Sequence, residues 1–393
     1  MTRVRLVHGF THFHGLGGVQ SMLLEHHAGD LAHGLESSFL AYFEPRGPRA
    51  PRVTGLGLSG WSNVRKARAR FAGAPPSPAR CLAYHNCWGL PLFADLDHSD
   101  RRVGILHTDF PGLPDCLQRL RGLLDGLLCV SQPLLDLARR GLPELAGERL
   151  GWLPYPIADG ERRAGQSSLL GRPLVLGFAG RLASQQKRMD RFPELVRRLR
   201  ETGVAFRLEF LGDGPQERWL RRQFAGDAGV RFHGRQSGES YRAVLRQWDV
   251  VAYVSDYEGL PITLLEALAC GVIPLYPRIG SGGDAYVAQV RPDLLYPAGD
   301  LGAAAAAIWD LAAMNPADLA ALRRRCLEAA RPHTADCYLG TFGEFTRRLT
   351  TLPRISLPTF PPRQGYASDW VPMSLLRLFW PIRLWQPNRP AAP

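Results

Sequence analysis

Two glutamates, Glu258 and Glu266, flank a loop-to-helix junction in the string YEGLPITLLEALACGVIPL, residues Tyr257 to Leu275. Gly259 and Pro261 form a turn, Pro261 suits the entry to a helix, and Thr263 to Ala269 continue that helix until Cys270-Gly271 stops it. A helix N-terminus offers N–H groups without intrahelical partners and a partial positive charge, which suits a phosphate or pyrophosphate. The expected donors are the N–H groups of Ile262, Thr263 and Leu264. Glu266 stands on the opening turns with its side chain tilted back toward that end, and Glu258 approaches from the loop. Two carboxylates beside a phosphate-ready terminus point to a ligand that is phosphorylated and rich in hydroxyls, and a nucleotide sugar fits. Stripped of context, the same two acids read as a turn cap and a solvated helix residue.

A second charged constellation lies upstream in PLVLGFAGRLASQQKRMDRF. Leu174 to Ala179 has the pattern of a strand, Gly180 ends it, and Arg181 and Lys187 flank a short loop leading to a helix. Two cations so placed can clamp a diphosphate and stabilise the charge that builds on it as a sugar leaves. Lys187 and Lys66 are the only lysines in a chain that otherwise writes its cations as arginine, and a compact ammonium approaches phosphate as a point charge. Near the start, Val4 to Val7 is strand-like and runs into THFHGLGGVQ, where Gly17 and Gly18 let backbone come close to a ligand. This is no dinucleotide fingerprint, because Gln20 stands where a third glycine belongs. His107, in VGILHTDFPG, follows an apparent strand end, where open α/β sheets hold ligands; His85, in CLAYHNCWG, reads as structural.

The elements that must carry these residues repeat one plan of strand, glycine turn and helix. Further strands are expected at 39–43 and 52–58, separated by the Pro/Arg-rich EPRGPRAPR. LLDGLLCVSQPLLDLARRGL reads as a strand, Ser131 as N-cap, then a helix. FRLEFLGDGPQERWLRRQF and VRFHGRQSGESYRAVLRQWDVVAYVS continue the plan, with His233 structural. Such alternation implies an α/β protein with doubly wound parallel sheets.

These motifs resemble those of the retaining, group 1 glycosyltransferases of the GT-B fold, usually called family 4. The resemblance covers about residues 3–350 and is strongest from 174 to 275. It implies two Rossmann-like domains facing a cleft, with an N-terminal acceptor-side domain at 1–160 and a nucleotide-sugar-binding domain at 170–335. A helix at 336–352 would cross back to the first domain, leaving a tail at 353–393. It further implies that Glu258 holds the donor sugar's hydroxyls, Glu266 the ribose, Arg181 and Lys187 the diphosphate, and His107 the sugar or acceptor. Gly17 and Gly18 would face the donor phosphates and acceptor, and Gly234 and Arg235 the base, mainly through backbone. Relatives carry a Gly-Gly turn followed by glutamate where this chain has Gly282-Gly283-Asp284, and the linker segment has Tyr155-Pro156 in place of Asn-Gly. The implied activity is transfer of a sugar from a nucleoside diphosphate sugar to an acceptor hydroxyl in polysaccharide, lipopolysaccharide or glycolipid assembly, with no metal or other cofactor. A nucleotide-sugar epimerase of the same fold and a non-catalytic, membrane-docked nucleotide-sugar-binding protein are the rival readings. Base, sugar, acceptor, linkage and oligomeric state are not readable from the residues.

Bulk properties bound these expectations. A chain of 393 residues, 45% hydrophobic and 21% charged, suits two globular domains. The net charge of +12 favours anionic partners, but the arginines are spread along helix-like faces without a nucleic-acid motif, so nucleic acid is not expected. Seven cysteines without paired spacing, together with no spanning segment or signal peptide, suggest a reducing, cytoplasmic setting. The tail holds nine prolines and Trp370, Trp380 and Trp385. Residues 370–385 mix tryptophan, leucine and arginine, a composition for peripheral contact with an anionic membrane, the alternatives being a tail that packs across the protein's own surface or is partly disordered.

Overall fold

The structure is a computed structural model, and it describes residues 3–14, 18–74, 79–109, 112–153, 155–157 and 172–357. The chain divides into two compact units, one comprising Met1–Pro156 with Ala335–Pro393 and the other Ile157–Thr334.

The first unit is built on an eight-stranded sheet. Its strands are β1 (Val4–Phe10), β2 (Leu35–Ala41), β3 (Gly47–Ala50), β4 (Val53–Gly55), β5 (Cys81–His85), β6 (Arg101–Leu106), β7 (Gly126–Cys129) and β8 (Leu150–Trp152). Their spatial order is β3-β4-β2-β1-β5-β6-β7-β8, parallel throughout except for β3 against β4. Buried on both faces, β5 and β7 read as unbroken apolar runs, as parallel strands do. The 39–43 and 52–58 expectations correspond to β2 and β4, with different bounds. The Pro/Arg-rich connection holds the short edge strand β3, where proline is tolerated because it need not donate inward. The helix Gln132–Gly141 starts at Ser131 as expected, but the Ser131 hydroxyl makes no cap bond and is buried without a partner. The helix Ala335–Thr351 packs on this unit, placing Leu349 and Phe345 against Gly126. The chain beyond it stays on the same unit through Ile355, whose N–H donates to Asp125 Oδ1 at 2.7 Å. The remainder of the tail, including 370–385, lies outside the described residues.

The second unit is a six-stranded, all-parallel sheet of β9 (Leu174–Ala179), β10 (Phe206–Leu211), β11 (Val230–Gly234), β12 (Val250–Ala252), β13 (Ile273–Arg278) and β14 (Leu295–Pro297). The order β11-β10-β9-β12-β13-β14 puts the first strand in the middle and reverses direction of travel between β9 and β12. Loops leaving the C-terminal ends of two strands at such a switch point diverge and open a crevice, the usual ligand position in this architecture. The opposite edge is closed by charge. Asp249, fully buried at the start of β12, accepts from Arg172 and Arg323 at 2.7 Å each and from the Val175 N–H at 3.0 Å.

Candidate active site

The loops after β9, β10, β12 and β13 are stitched together along the C-terminal edge of the second sheet. The Leu182 N–H donates to Asp213 O at 2.8 Å and the Gln216 N–H to Leu182 O at 2.9 Å, joining the first two loops. The Asp256 N–H donates to Gln186 O at 3.0 Å, and the Gly282 N–H to Gly259 O at 2.8 Å, bringing in the other two. One of these approaches requires glycine: at Gly212, with φ of +136°, an added Cβ would lie 2.1 Å from the Gly180 carbonyl oxygen.

Within this frame Lys187 and Glu258 meet. Lys187 closes the one-turn helix Ser184–Lys187, and its Nζ lies 2.6 Å from Glu258 Oε1. Glu258 is buried at 4% exposure and also accepts from Ser255 Oγ at 2.6 Å and, on Oε2, from Gln186 Nε2 at 3.1 Å. Gln186 Nε2 donates to Tyr257 O as well, fixing the loop on either side of the acid. The sequence assigned Lys187 to a diphosphate and Glu258 to sugar hydroxyls; in this structure the two charges satisfy each other. Arg181 is exposed and has no ion pair among the described residues.

The helix Ile262–Ala269 begins after Pro261, whose ring fixes φ at −64° and leaves the backbone extended. No side chain caps it. The first-turn N–H groups of Ile262 and Thr263 have no acceptor within the helix. Leu264 is corrected out of the donor set, because its N–H already donates to Pro261 O at 3.1 Å in a tightened first turn. Thr263 Oγ1 sits 2.9 Å from the Tyr253 hydroxyl. Glu266 accepts from the Tyr241 hydroxyl at 2.6 Å. Burial raises the Glu266 pKa, and the Tyr241 hydrogen bond opposes that shift only in part. Tyr241 carried no signal in the sequence beyond its place four residues into an exposed-looking stretch.

Gly234, at φ of +64°, ends β11, and its carbonyl accepts from the Gly212 N–H at 2.8 Å, while Arg235 is exposed. Asp284 caps its own helix: it accepts from Ser281 N–H at 2.9 Å and from Ile279 and Gly280 N–H at 3.1 Å each, so the departure from Gly-Gly-Glu serves turn closure here. His233 is structural, paired with Glu209 at 2.8 Å alongside Trp248. In the first unit, Gly18 opens the helix Gly18–Gly29 and Gly17 lies outside the described residues. The segment before them is held by Glu44, which accepts from the N–H groups of Phe13 at 2.8 Å and His14 at 2.6 Å. A separate shallow groove lined by Pro193, Arg197, Arg200 and Asp227 holds none of the residues singled out from the sequence.

His107 requires the largest correction. It is 4% exposed, its Nε2 lies 2.9 Å from His85 Nδ1 and its Nδ1 lies 2.8 Å from the Tyr155 hydroxyl. Burial, with a smaller contribution from His26, lowers its pKa to about 3, so it stays neutral. Both ring nitrogens are committed inside the first unit, leaving none to touch a sugar. Among the described residues, His8, His26 and Asp30 form the one group whose potential metal-ligand atoms lie within 4.8 Å of one another.

Two Rossmann-like parallel sheets on one chain, the second with its charged residues at the switch point, define the GT-B class of fold. Within that class, the family model described as "Glycosyl transferases group 1" matches residues 173–314. The chain is 32% identical over 165 residues to WcaL of Escherichia coli (strain K12), a glycosyltransferase assigned to colanic acid biosynthesis; the match spans 40% of this chain and 40% of that relative's length. A D-inositol 3-phosphate glycosyltransferase of Stackebrandtia nassauensis is 29% identical over 299 residues, 68% of this chain and 66% of its own. The pneumococcal O-GlcNAc transferase GtfA, solved with UDP and GlcNAc, superposes with a TM-score of 0.65 at 11% identity, covering 88% of this chain and 99% of that one, a likeness of fold. No helix among the described residues is long and apolar enough to cross a membrane.

Proposed function

We propose that the protein is a retaining glycosyltransferase that moves a sugar from a nucleoside diphosphate sugar to an acceptor hydroxyl during polysaccharide, lipopolysaccharide or glycolipid assembly at the cytoplasmic face of a membrane. The supporting observation is the Lys187–Glu258 contact between the loops of the β9/β12 switch point, with the uncapped helix at Ile262 beginning four residues after Glu258. The diphosphate sits on the Ile262 and Thr263 N–H groups, with Arg181 supplying a second cation. Its arrival draws the Lys187 ammonium away from Glu258. That exchange neutralises the leaving group and frees the Glu258 carboxylate for the sugar's hydroxyls, so one movement arms both ends of the donor. Glu266, oriented by Tyr241, takes the ribose hydroxyls. Arg181, Lys187 and the helix end supply the positive charge the departing diphosphate needs, and we therefore assign no metal to the reaction.

The likeness to WcaL, assigned to colanic acid biosynthesis, supports a glycan acceptor, and the UDP held by GtfA supports a nucleotide as carrier of the sugar. The test is incubation of the full chain with a panel of labelled nucleotide sugars, with and without glycolipid acceptor extracts. Release of nucleoside diphosphate that depends on acceptor, and falls at least about 100-fold in Glu258→Gln, supports transfer. Conversion of one nucleotide sugar to another without acceptor would make the protein an epimerase, and no turnover with any donor would make it a binding protein.

A further inference from the structure

Three histidines in the first unit stand in a row on adjacent strands: His8 in β1, His85 at the end of β5, and His107 just after β6. His8 Nδ1 lies 3.0 Å from His85 Nε2, and His85 Nδ1 lies 2.9 Å from His107 Nε2. One end of the row reaches the Tyr155 hydroxyl at 2.8 Å from His107 Nδ1. At the other end, His8 Nε2 faces Asp30 Oδ2 at 3.6 Å, a charge contact longer than a hydrogen bond. Asp30 Oδ2 accepts from Ser37 Oγ, and Asp30 Oδ1 from His26 Nδ1 at 2.9 Å. His26 Nε2 in turn lies 3.0 Å from the Tyr338 hydroxyl. His8, His26, His85, Asp30 and Tyr338 are all at or below 2% exposure.

The order of protons along this row follows from its charged member. Burial opposes ionisation of Asp30, but His26 and His8 outweigh it and hold its pKa below the ordinary carboxylate range. Burial lowers the His8 pKa to about 4 and that of His85 well below its usual value, so both rings are neutral and each carries a single proton. A lone pair on His8 Nε2 aimed at a buried carboxylate would be repelled, so the proton is on Nε2 and Nδ1 accepts. His85 must then donate from Nε2 to His8 and His107 from Nε2 to His85, which leaves the His107 Nδ1 lone pair facing the Tyr155 hydroxyl at 2.8 Å. The same hydroxyl has a second, longer acceptor in the His107 carbonyl at 3.3 Å, so its proton goes to the shorter contact, Nδ1. One negative charge thereby sets three tautomers and the direction of a hydroxyl four side chains away.

The two tyrosines stand at the two places where the chain passes between its units. Tyr155 precedes the first crossing, after Pro156, and Tyr338 follows the second, after Thr334. We propose that Tyr155, His107, His85, His8, Asp30, His26 and Tyr338 form a single proton-ordered tether that clamps both crossing segments to the first unit, with Asp30 as its positioning residue. It assigns His107 the work of holding the outgoing segment. The inference is independent of the donor chemistry proposed for the second unit.

The test uses the full chain, labelled with 15N-histidine, and two readouts. Long-range 1H–15N spectra are expected to place the proton on Nε2 of His8, His85 and His107. Asp30→Asn is expected to shift those three rings toward the Nδ1–H form and to accelerate deuterium uptake in peptides 150–157 and 335–342 together, by at least about fivefold. Tyr155→Phe, which removes one hydroxyl, should accelerate only 150–157 and leave His8 and His85 as they were. Tyr338→Phe should accelerate only 335–342. Wild-type tautomers and wild-type uptake at 150–157 in Asp30→Asn would overturn the tether. If that variant does not fold, unchanged uptake at 150–157 in Tyr155→Phe would do the same. His8 and His26 resonances that move on adding a chelator would also overturn it, by making the Asp30 cluster a metal site.

Discussion

Neutralising the two members of the Lys187–Glu258 pair, singly and together, tests whether they act as one unit. At an effective dielectric constant of about 20, a contact of 2.6 Å carries roughly 6 kcal/mol of attraction. Desolvation cancels most of it, because Glu258 is 4% and Lys187 15% exposed, and about 2 kcal/mol of net coupling should remain. Lys187→Met leaves a buried carboxylate that still has Ser255 and Gln186 as donors, so the loss should be about 2–3 kcal/mol, short of that for a fully orphaned charge. Glu258→Gln keeps the shape and should cost about 1–2 kcal/mol, and the double variant about the same as one single variant rather than the sum. Denaturation followed by hydrogen exchange of β9 and β12 amides reads the second unit alone. The ligand response carries the sharper consequence. Glu258→Gln should bind a bare nucleoside diphosphate as tightly as the native chain or several-fold tighter, because Lys187 no longer has to leave a partner; Lys187→Met should weaken it by about 10- to 100-fold. Additive stabilities, or weaker diphosphate binding in Glu258→Gln, would refute the exchange of Lys187 between carboxylate and phosphate.

Three further outcomes follow from the same structure. Gly212→Ala, with Cβ forced to 2.1 Å from the Gly180 oxygen at a φ of +136°, should destabilise the second unit by about 3 kcal/mol or more in chemical denaturation; a cost under about 1 kcal/mol would mean the two loops are not tightly joined. Tyr241→Phe removes a hydroxyl donor to Glu266 and should cost about 1–2 kcal/mol while weakening nucleoside diphosphate binding, read by calorimetry against the native chain. Acid should act oppositely on the two units. His8, with a folded pKa of about 4 against 6.5 unfolded, lets the unfolded chain bind more protons between those values, so the first unit loses up to about 3 kcal/mol as pH falls through that window. Glu266, whose folded pKa is raised, contributes the reverse: second-unit stability rises as pH falls through its folded value toward 4.5. Scanning calorimetry at pH 7 and pH 5 should show the first unit's transition moving down, and a transition that stays in place would contradict the neutral histidines.

The second unit was more legible in the sequence than the first. Glycine turns between apolar runs located β9, β10, β12 and β13, and the string from Tyr257 located the uncapped helix, because local chemistry at Gly180, Gly259 and Pro261 dictates those turns. Strand order is a long-range property, and it decided what sequence reading missed. His8, His85 and His107 form a row only because β1, β5 and β6 are neighbours, so three separately unremarkable histidines gave no joint signal, and His107 was assigned to a ligand it cannot reach with a free nitrogen. Lys187 and Glu258 were each assigned to ligand, yet a sequence separation of 71 hid their contact. Leu264 was counted among the free donors because a helix start in sequence does not reveal that its first turn tightens onto Pro261.

Thermal unfolding of the full chain with and without nucleoside diphosphates tests the donor site most directly. Saturation at about 100 times the dissociation constant should add about 2.7 kcal/mol to the second unit and raise its transition by several degrees for at least one base. At the same ligand concentration the shift should shrink in Arg181→Ala and fall in Lys187→Met to between about 1.4 and 0.4 kcal/mol, as 10- to 100-fold weaker binding requires. An unchanged transition with every nucleoside diphosphate, or an equal shift in Lys187→Met, would contradict a donor held by Lys187 and the helix at Ile262.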